Sequence, residues 1–296
     1  MVYLDTDIFV QIPLDPIGLK SSLMVYALKT DDGWIMVDTG PESTSKTLLA
    51  GLMSYGVEPA KVFLTHVHLD HAGGAGSVHM AWSNVKFLVH PRGAPHLVNP
   101  SKLWSASSEV LGWLAHIFGV PTGVPEESVV KVSDGVKVAE GLKAIHTPGH
   151  ASHHMSLFAE DMSILFPGSS IGMFMPVGNT SVYIPALTYP LKLDLYMESL
   201  EKQANLEPQV VAMPHYGVHD AGEVFSTARS QLDEWIKTAR KAVEKGSTTP
   251  EKMLANMIEE SESVRKAWEY SMRYDPLMEK IMIVIAKGLH EHLSNS

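Results

Sequence analysis

Residues 66–71 read His-Val-His-Leu-Asp-His. Three imidazoles and a carboxylate within six positions form a ligand set for a divalent cation. Packed together with no cation, they would leave several desolvated or mutually repelling groups. Residues two apart in an extended segment project to the same side, so His66 and His68 can converge on one ion. Asp70 and His71 follow where the chain turns and can face a neighbouring position. Gly73 and Gly74 come next and remove side chains where another stretch of backbone must pass close by. The chain has no cysteine. This excludes disulfides and thiolate chemistry, so any metal is held by His, Asp or Glu.

Strands and helices must hold this cluster in place. "KVFLT" (61–65) is a short apolar strand ending directly before it, and "HAGGAGSVHMAWS" (71–83) reads as the helix that follows. "SSLMVYALK" and "GWIMVDTG" read as a hairpin about Asp31-Asp32-Gly33. Residues 42–54 read as a helix with Leu48, Leu49, Leu52 and Met53 on one face. "VKFLVHP" is a strand, and "DGVKVAEGLKAIHTPGH" reads as paired strands broken at Gly141. "MSLFAE" and "SILFPGS" flank a turn at Glu160-Asp161, and "QVVAMPHYG" reads as the last strand. Two insertions interrupt the pattern. Residues 91–125 read as helical and carry Trp104 and Trp113. Residues 169–190 lack periodicity, are rich in Met, Phe and Tyr, and are expected to form a functional or mobile loop.

From about Asp220 the chain reads as helix only. "AGEVFSTARSQLDEWIKTARKAVEKG" has helical apolar spacing and a Gly stop. "TTPEKMLANMIEES" opens with a Thr cap and Pro at the first helical position, and "DPLMEKIMIVIAKGLHEHL" repeats that start. The expected organisation is an α/β domain over residues 1–222 and a C-terminal helical domain over 223–296.

Composition narrows the class. The chain has 296 residues, 45% of them hydrophobic, and a mean hydropathy near zero, as in soluble globular proteins. A net charge of −10 repels phosphate backbones, so nucleic acid is not an expected partner. The first residues, "MVYLDTDIFVQIPLD", carry acids early and do not read as a signal peptide. No apolar run is long enough to span a bilayer. These features point to a cytoplasmic protein with no membrane partner.

"THVHLDHAGG" resembles the signature of the metallo-β-lactamase superfamily. Three further segments match in order: "WIMVDTG" its strand ending in Asp-x-Gly, "HTPGHASHH" its Thr-Pro-Gly-His segment, and "AMPHYG" its last strand ending in a ligand histidine. The match spans roughly residues 20 to 217. The resemblance implies a four-layer αββα sandwich with metals at one edge between two sheets. It implies a first site of His66, His68 and His150, and a second of Asp70, His71 and His215. Many members bridge the two metals with an aspartate. Here that segment reads "LFPGSSIG", and Ser169 stands at the usual bridging-Asp position. A serine contributes no charge, which implies a weaker second site or a single ion. The third subclass of true metallo-β-lactamases also has serine there and still holds two zinc ions, so one or two ions per chain both stay open.

Three neutral imidazoles and an open position suit zinc. Iron-binding members typically use the bridging acid or a Glu within the motif, positions occupied here by Ser169 and His68. Zinc is therefore expected ahead of iron or manganese. Such an ion brings bound water to a pKa of about 7, and Asp70 is placed to orient that water or to ligate a second metal. A donor for the developing oxyanion is also required; Tyr216, Tyr183 and Tyr189 are the candidates. The resemblance gives Asp38 a buttressing role behind the ligand loop. His153 and His154 either line the pocket or cap a strand. His79, His90, His96, His116 and His146 read as structural, and His290 and His292 as solvated.

A helical region after the last ligand resembles hydroxyacylglutathione hydrolase (glyoxalase II) and its relatives, although the basic glutathione-binding residues of that enzyme have no match here. The expectation is a zinc hydrolase acting on a small ester, thioester or lactone. Two alternatives are a metal-binding protein of the same fold with little hydrolytic activity, serving as a sensor or partner-binding module, and a small-molecule phosphodiesterase. The apolar helices at the C-terminus can dock on their own sandwich or form a homodimer.

Overall fold

The computed structural model describes residues 7–16, 22–177, 180–274 and 276–294. Ser21 of the first expected strand, residues 178 and 179 of the second insertion, the Asp275 helix start and the first six residues of the leader reading lie outside the described residues.

One six-stranded sheet contains, in order, β1 (Phe9–Leu14), β2 (Leu23–Thr30), β3 (Gly33–Val37), β4 (Pro59–Phe63), β5 (Lys86–Val89) and β6 (Val129–Lys131). β1 to β3 are antiparallel neighbours, and β3 to β6 run parallel. The second sheet is built from β7 (Lys137–Ala139), β8 (Leu142–His146), β9 (Met155–Ala159) and β10 (Ile164–Phe166). After the hairpin β11 (Met173–Val177) and β12 (Thr180–Ile184), it adds β13 (Val210–Met213) and β14 (Gly217–Asp220). Its order is β14-β13-β10-β9-β8-β7.

Helices α1 (Ser45–Ser54), α2 (Leu69–Ala72) and α3 (Ala75–Ala81) follow β3 and β4. The first insertion contains α4 (Ala94–Val98), α5 (Ser101–Leu111) and α6 (Trp113–Phe118). Then come α7 (Leu193–Ala204), α8 (Ala221–Glu244), α9 (Pro250–Glu260), α10 (Glu262–Tyr274) and α11 (Pro276–Ser294).

Alternation along the strands makes the layers. On β2, Tyr26 and Leu28 point between the sheets with Phe63, Leu157 and Phe166, whereas Val25 and Ala27 point outward to Leu48 and Leu52 of α1. On β13, Val210 and Ala212 face the inter-sheet core. Val211 and Met213 face Tyr196 of α7 and Trp235 of α8. The result is the αββα sandwich, with the helices α8–α11 beyond it. Their apolar faces belong to one continuous core with the outer side of the second sheet.

The structure differs from the sequence reading at several places. Phe9–Leu14 forms a strand that was not expected, the helix read over 71–83 is two helices, α2 and α3, separated at Gly73-Gly74, and Met53 is exposed rather than on the buried face of α1. The residues after His215 form a further strand, β14, because Gly217–Asp220 pairs back onto β13. The 169–190 segment is not a plain loop: Met173–Val177 and Thr180–Ile184 form a two-stranded hairpin. α10 lies between the two tail helices read from their caps. His290 is half-buried rather than solvated, with its Nε2 3.1 Å from the Ser247 carbonyl.

Candidate metal centre

β8 and β10 are each antiparallel to β9, and β13 runs parallel to β10, so the three share one direction. Their C-terminal ends deliver His150, Ser169 and His215 to the same edge of the sandwich. The parallel ends of β3 and β4 deliver Asp38 and the 65–71 loop. Two close approaches hold these loops together. A Cβ on Gly73 would lie 2.9 Å from the Glu42 nitrogen, and one on Gly74 would lie 2.9 Å from the Thr39 carbonyl. The backbone that passes close to the glycine pair is therefore the loop carrying Asp38. Gly149 has φ +132, and its Cβ would meet the Tyr196 Cα at 2.4 Å, so the chain ahead of His150 is pressed onto α7.

Two groups of ligand-type side chains form at this edge: His66, His68 and His150, and beside them Asp70, His71 and His215. Within each group the donor atoms lie within 4.8 Å of one another. These are the same two triads that the family resemblance implied. In the first, His68 Nδ1 is 3.1 Å from His66 Nε2 and 3.0 Å from His150 Nε2. On His66 and His150 the outer nitrogens explain why the Nε2 lone pair points inward. Thr65 Oγ1 donates to the Asp38 carboxylate, which leaves it to accept from His66 Nδ1 at 3.0 Å. His150 Nδ1 donates to the Ala186 carbonyl at 2.7 Å. Burial holds His66 and His68 well below the ordinary imidazole range and pushes His150 down to about 4. His66 and His150 each turn an unprotonated Nε2 toward His68 Nδ1, and a single proton on that nitrogen bonds one of them well at a time, whereas a cation serves all three. A tetrahedron with metal–nitrogen bonds of about 2.05 Å has edges of roughly 3.3 Å, close to the two separations observed. The residues fit a metal ion.

The second group is wider. Asp70 Oδ2 is 3.4 Å from His71 Nε2 and 3.8 Å from His215 Nε2. His215 Nδ1 donates to the Ser22 carbonyl at 3.0 Å, and burial pushes His215 to about 4. Burial also acts to lower His71, but Asp70 and Asp38 outweigh it and leave its pKa raised. Burial alone would raise Asp70; the neighbouring His71, His215 and His68 bring its carboxyl below the usual range. Asp70 is therefore a carboxylate facing two imidazoles.

Asp38 is the hub behind both groups. It is a non-glycine residue at φ +61, a region Asp tolerates better than most residues. Its carboxylate accepts from Thr65 N at 2.8 Å, from Thr65 Oγ1, and from His71 Nδ1 at 2.8 Å. Thr65 links it to His66. This matches the buttressing role implied by resemblance and adds Thr65, which sequence reasoning missed although it immediately precedes the cluster.

Ser169 occupies the space beside the second group, with its Oγ 3.2 Å from His71 Nε2. His154 holds it from behind: His154 Nε2 accepts from Ser169 N at 3.1 Å, and His154 Nδ1 then donates to Thr147 Oγ1 at 2.9 Å. His153 Nε2 accepts from Val67 N at 3.1 Å, pinning the backbone between His66 and His68. Both histidines support the ligand loops rather than line the cavity. His90 and His146 stack on each other with centroids 4.6 Å apart.

A cavity of about 280 Å³ opens over the centre, with His68, Asp70, His150 and Ser169 among its lining residues and α5, α6 and α11 contributing walls. Of the tyrosines considered, Tyr189 lies at this cavity. Tyr183 is fully buried against Phe174. Tyr216 adjoins His215, and its ring packs on the core shared with the tail helices. Among the described residues, no helix is long and apolar enough to cross a membrane.

The chain is 29% identical over 215 residues to the metallo-beta-lactamase fold-containing protein ST1585 of Sulfurisphaera tokodaii, covering 70% of this chain and 77% of that protein. It is 25% identical over 248 residues to the probable metallo-hydrolase YflN of Bacillus subtilis, covering 76% and 84%. The crystal structure of ST1585 from Sulfolobus tokodaii superposes with a TM-score of 0.71 at 22% sequence identity, over 96% of this chain and 98% of that one. TTHA1623 in a di-iron-bound form gives 0.53 at 21% identity, over 72% and 95%. Both structural likenesses carry the fold alone. Residues 21–215 match the metallo-beta-lactamase superfamily, and with the two triads at the sandwich edge the chain belongs to that superfamily.

Proposed function

We propose that this protein is a zinc-dependent hydrolase acting on a small ester, thioester or lactone, with His66, His68, His150 and Asp70, His71, His215 as the metal ligands. The observation that carries the proposal is the convergence of three imidazole nitrogens, 3.0 and 3.1 Å apart about His68 Nδ1, at the floor of a cavity. Zinc in that position supplies a Lewis acid and a water acidic enough to lose a proton near neutral pH. The protein's own groups do the rest. Asp70, kept ionised by its histidine neighbours, would orient the attacking water if one ion is bound, and would be a ligand through Oδ2 if the second group also holds an ion. The apolar walls exclude bulk water and strengthen each polar contact at the floor. Tyr216 adjoins His215 but packs on the core rather than lining the cavity, so it serves as oxyanion donor only if its hydroxyl turns toward the metal edge; Tyr216→Phe tests this, with a loss of about 10²-fold in turnover expected if it does and unchanged turnover if it does not.

Zinc is chosen on ligand chemistry. The di-iron form belongs to TTHA1623 and leaves iron as an outcome of metal analysis. The helices after His215 support a place near the glyoxalase II-like branch, without its glutathione specificity. A cytoplasmic location, a small-molecule substrate and the absence of a nucleic-acid partner are part of the same proposal; the cavity of about 280 Å³ supports the second and the net charge of −10 the third. A second reading, a metal-binding protein with little turnover, is favoured by Ser169, which puts a neutral hydroxyl where many relatives carry an acid. Metal analysis followed by a screen of ester, thioester, lactone, phosphodiester and β-lactam substrates separates the two. Turnover abolished by His68→Ala supports the hydrolase. Bound zinc with no turnover on any class supports the second reading.

A further inference from the structure

We infer that the cavity over the metal centre takes a neutral substrate carrying an apolar, chiefly aliphatic group of about ten heavy atoms. The reacting carbonyl lies at the His68–Asp70–His150–Ser169 floor, and the apolar part lies between α6 and α11. The identity of the reacting bond rests on the hydrolase reading above; the apolar subsite does not.

Four observations carry this inference. First, the walls are aliphatic and aromatic. Leu114 and Phe118 come from α6, with Leu111 at the end of α5, and Ile281, Val284 and Ile285 face them from α11. Second, no lysine or arginine is among the described lining residues. The nearby Lys287 ammonium is occupied over the Tyr189 ring, 4.6 Å from its centroid. The Thr188 hydroxyl is likewise committed, donating to the His150 carbonyl at 2.6 Å. Ser107 remains as a wall-side hydroxyl, and one neutral hydroxyl does not offset the desolvation of a carboxylate or phosphate there. Third, the volume is about 280 Å³. A dry cavity of about 150 Å³ binds benzene, so this space holds an apolar group of roughly ten heavy atoms. Fourth, the α11 wall is built into the fold. A Cβ on Gly288 would lie 2.8 Å from the Thr188 carbonyl, so α11 lies directly against the loop that bonds His150. The tail helix is thus a wall of the site and lies against the loop that hydrogen-bonds His150.

In the reaction the oxygen of water bonds to the acyl carbon and the acyl–leaving-group bond breaks. One water proton passes to the leaving group, and the other is released as the acid ionises. The test has two arms. Zinc-loaded protein is assayed with 4-nitrophenyl esters from acetate to decanoate. kcat/KM is expected to rise roughly fourfold per methylene and to level off near octanoate. Metal-free protein is loaded with the neutral fluorescent probe N-phenyl-1-naphthylamine, and decan-2-one is expected to displace it at least about tenfold better than decanoate. Val284→Phe narrows the cavity and should lower the octanoate-to-acetate ratio about tenfold or more. Val110→Phe, at a more exposed lining position, provides a second variant should the first misfold. Ester turnover that is flat or falling with chain length overturns the inference and leaves the hydrolase reading standing. Equal displacement by ketone and carboxylate also overturns it. Ketone-selective displacement with no turnover of any ester supports the apolar subsite and overturns the hydrolase reading.

Discussion

Replacing Asp38 with asparagine should uncouple the second ligand group while leaving the fold intact. The side chain keeps its shape, and asparagine tolerates the φ of +61. Its carboxylate now accepts three hydrogen bonds from two residues, with its side chain 6% exposed. In the variant the amide oxygen can stay on Thr65 N. The amide nitrogen then faces His71 Nδ1, where a donor would meet a donor. His71 can relieve this only by moving its proton to Nε2, the nitrogen aimed at Asp70 and Ser169. That removes the lone pair offered to a metal. Loss of a hydrogen bond to a charged group costs about 2 kcal/mol, partly recovered by the tautomer change, so a net destabilisation of about 1–2 kcal/mol is expected. Affinity at the second group should fall by about 10- to 100-fold. Asp38→Ala leaves every donor unpaired and places alanine at positive φ, for about 4 kcal/mol or more. Urea denaturation of metal-free protein gives the stability term, and zinc competition against a chromophoric chelator gives the affinity term. An Asp38→Asn variant that binds its second equivalent as tightly as the parent would refute the tautomer argument.

Ser169→Asp puts a carboxylate beside His71 Nε2 and should tighten the second ion on the order of tenfold; calorimetric titration that shows no gain places Ser169 outside the ligand sphere. Metal-free protein should lose stability as pH falls from about 6.5 to about 4. Burial holds His150 and His215 near 4 when folded against about 6.5 unfolded, so the unfolded chain binds protons first and the stabilisation, complete above about 6.5, is lost downward through that window. His71 shifts the other way and offsets part of the effect; urea midpoints in chelator at pH 7.5, 5.5 and 4.5 should fall, and a flat series contradicts the buried neutral imidazoles. Gly149→Ala sets a Cβ 2.4 Å from the Tyr196 Cα at φ +132 and should cost about 3 kcal/mol or more, read as a fall in Tm; an unchanged Tm means that the loop ahead of His150 is not pinned to α7.

The legible part of the site was the part contiguous in the chain. His66, His68, Asp70 and His71 announce themselves because a strand–loop–helix transition places neighbours in sequence around one point. His150 and His215 were reached only through the resemblance of their flanking segments, since nothing local in "TPGHA" or "MPHYG" says what lies opposite. The groups that fix the ring orientations were harder still. The Ala186 and Ser22 carbonyls are backbone atoms, and any residue would supply them. Thr65 and His154 act through hydrogen bonds across the sheets, which a one-dimensional pattern does not contain. In the fold, β2, β3, β5, β9 and β13 were found from their β-branched and aromatic runs, whereas β1 was missed although most of Phe9–Leu14 is buried, because Gln11 and Pro13 interrupt its apolar run. β14 was missed because Gly217–Asp220 has little apolar content and forms by pairing onto β13. The α11 wall of the cavity was read as helix, but its contact with the metal edge depends on packing between elements far apart in sequence.

The central claim is that six side chains from separate strand ends meet around bound metal. Crystals grown with zinc, with anomalous diffraction recorded on both sides of the zinc edge, test it most directly. The account predicts an anomalous peak bonded to His66 Nε2, His68 Nδ1 and His150 Nε2, with any second peak beside Asp70, His71 and His215. Ordered protein with no peak at this edge of the sandwich, or with zinc bound only elsewhere, would contradict it.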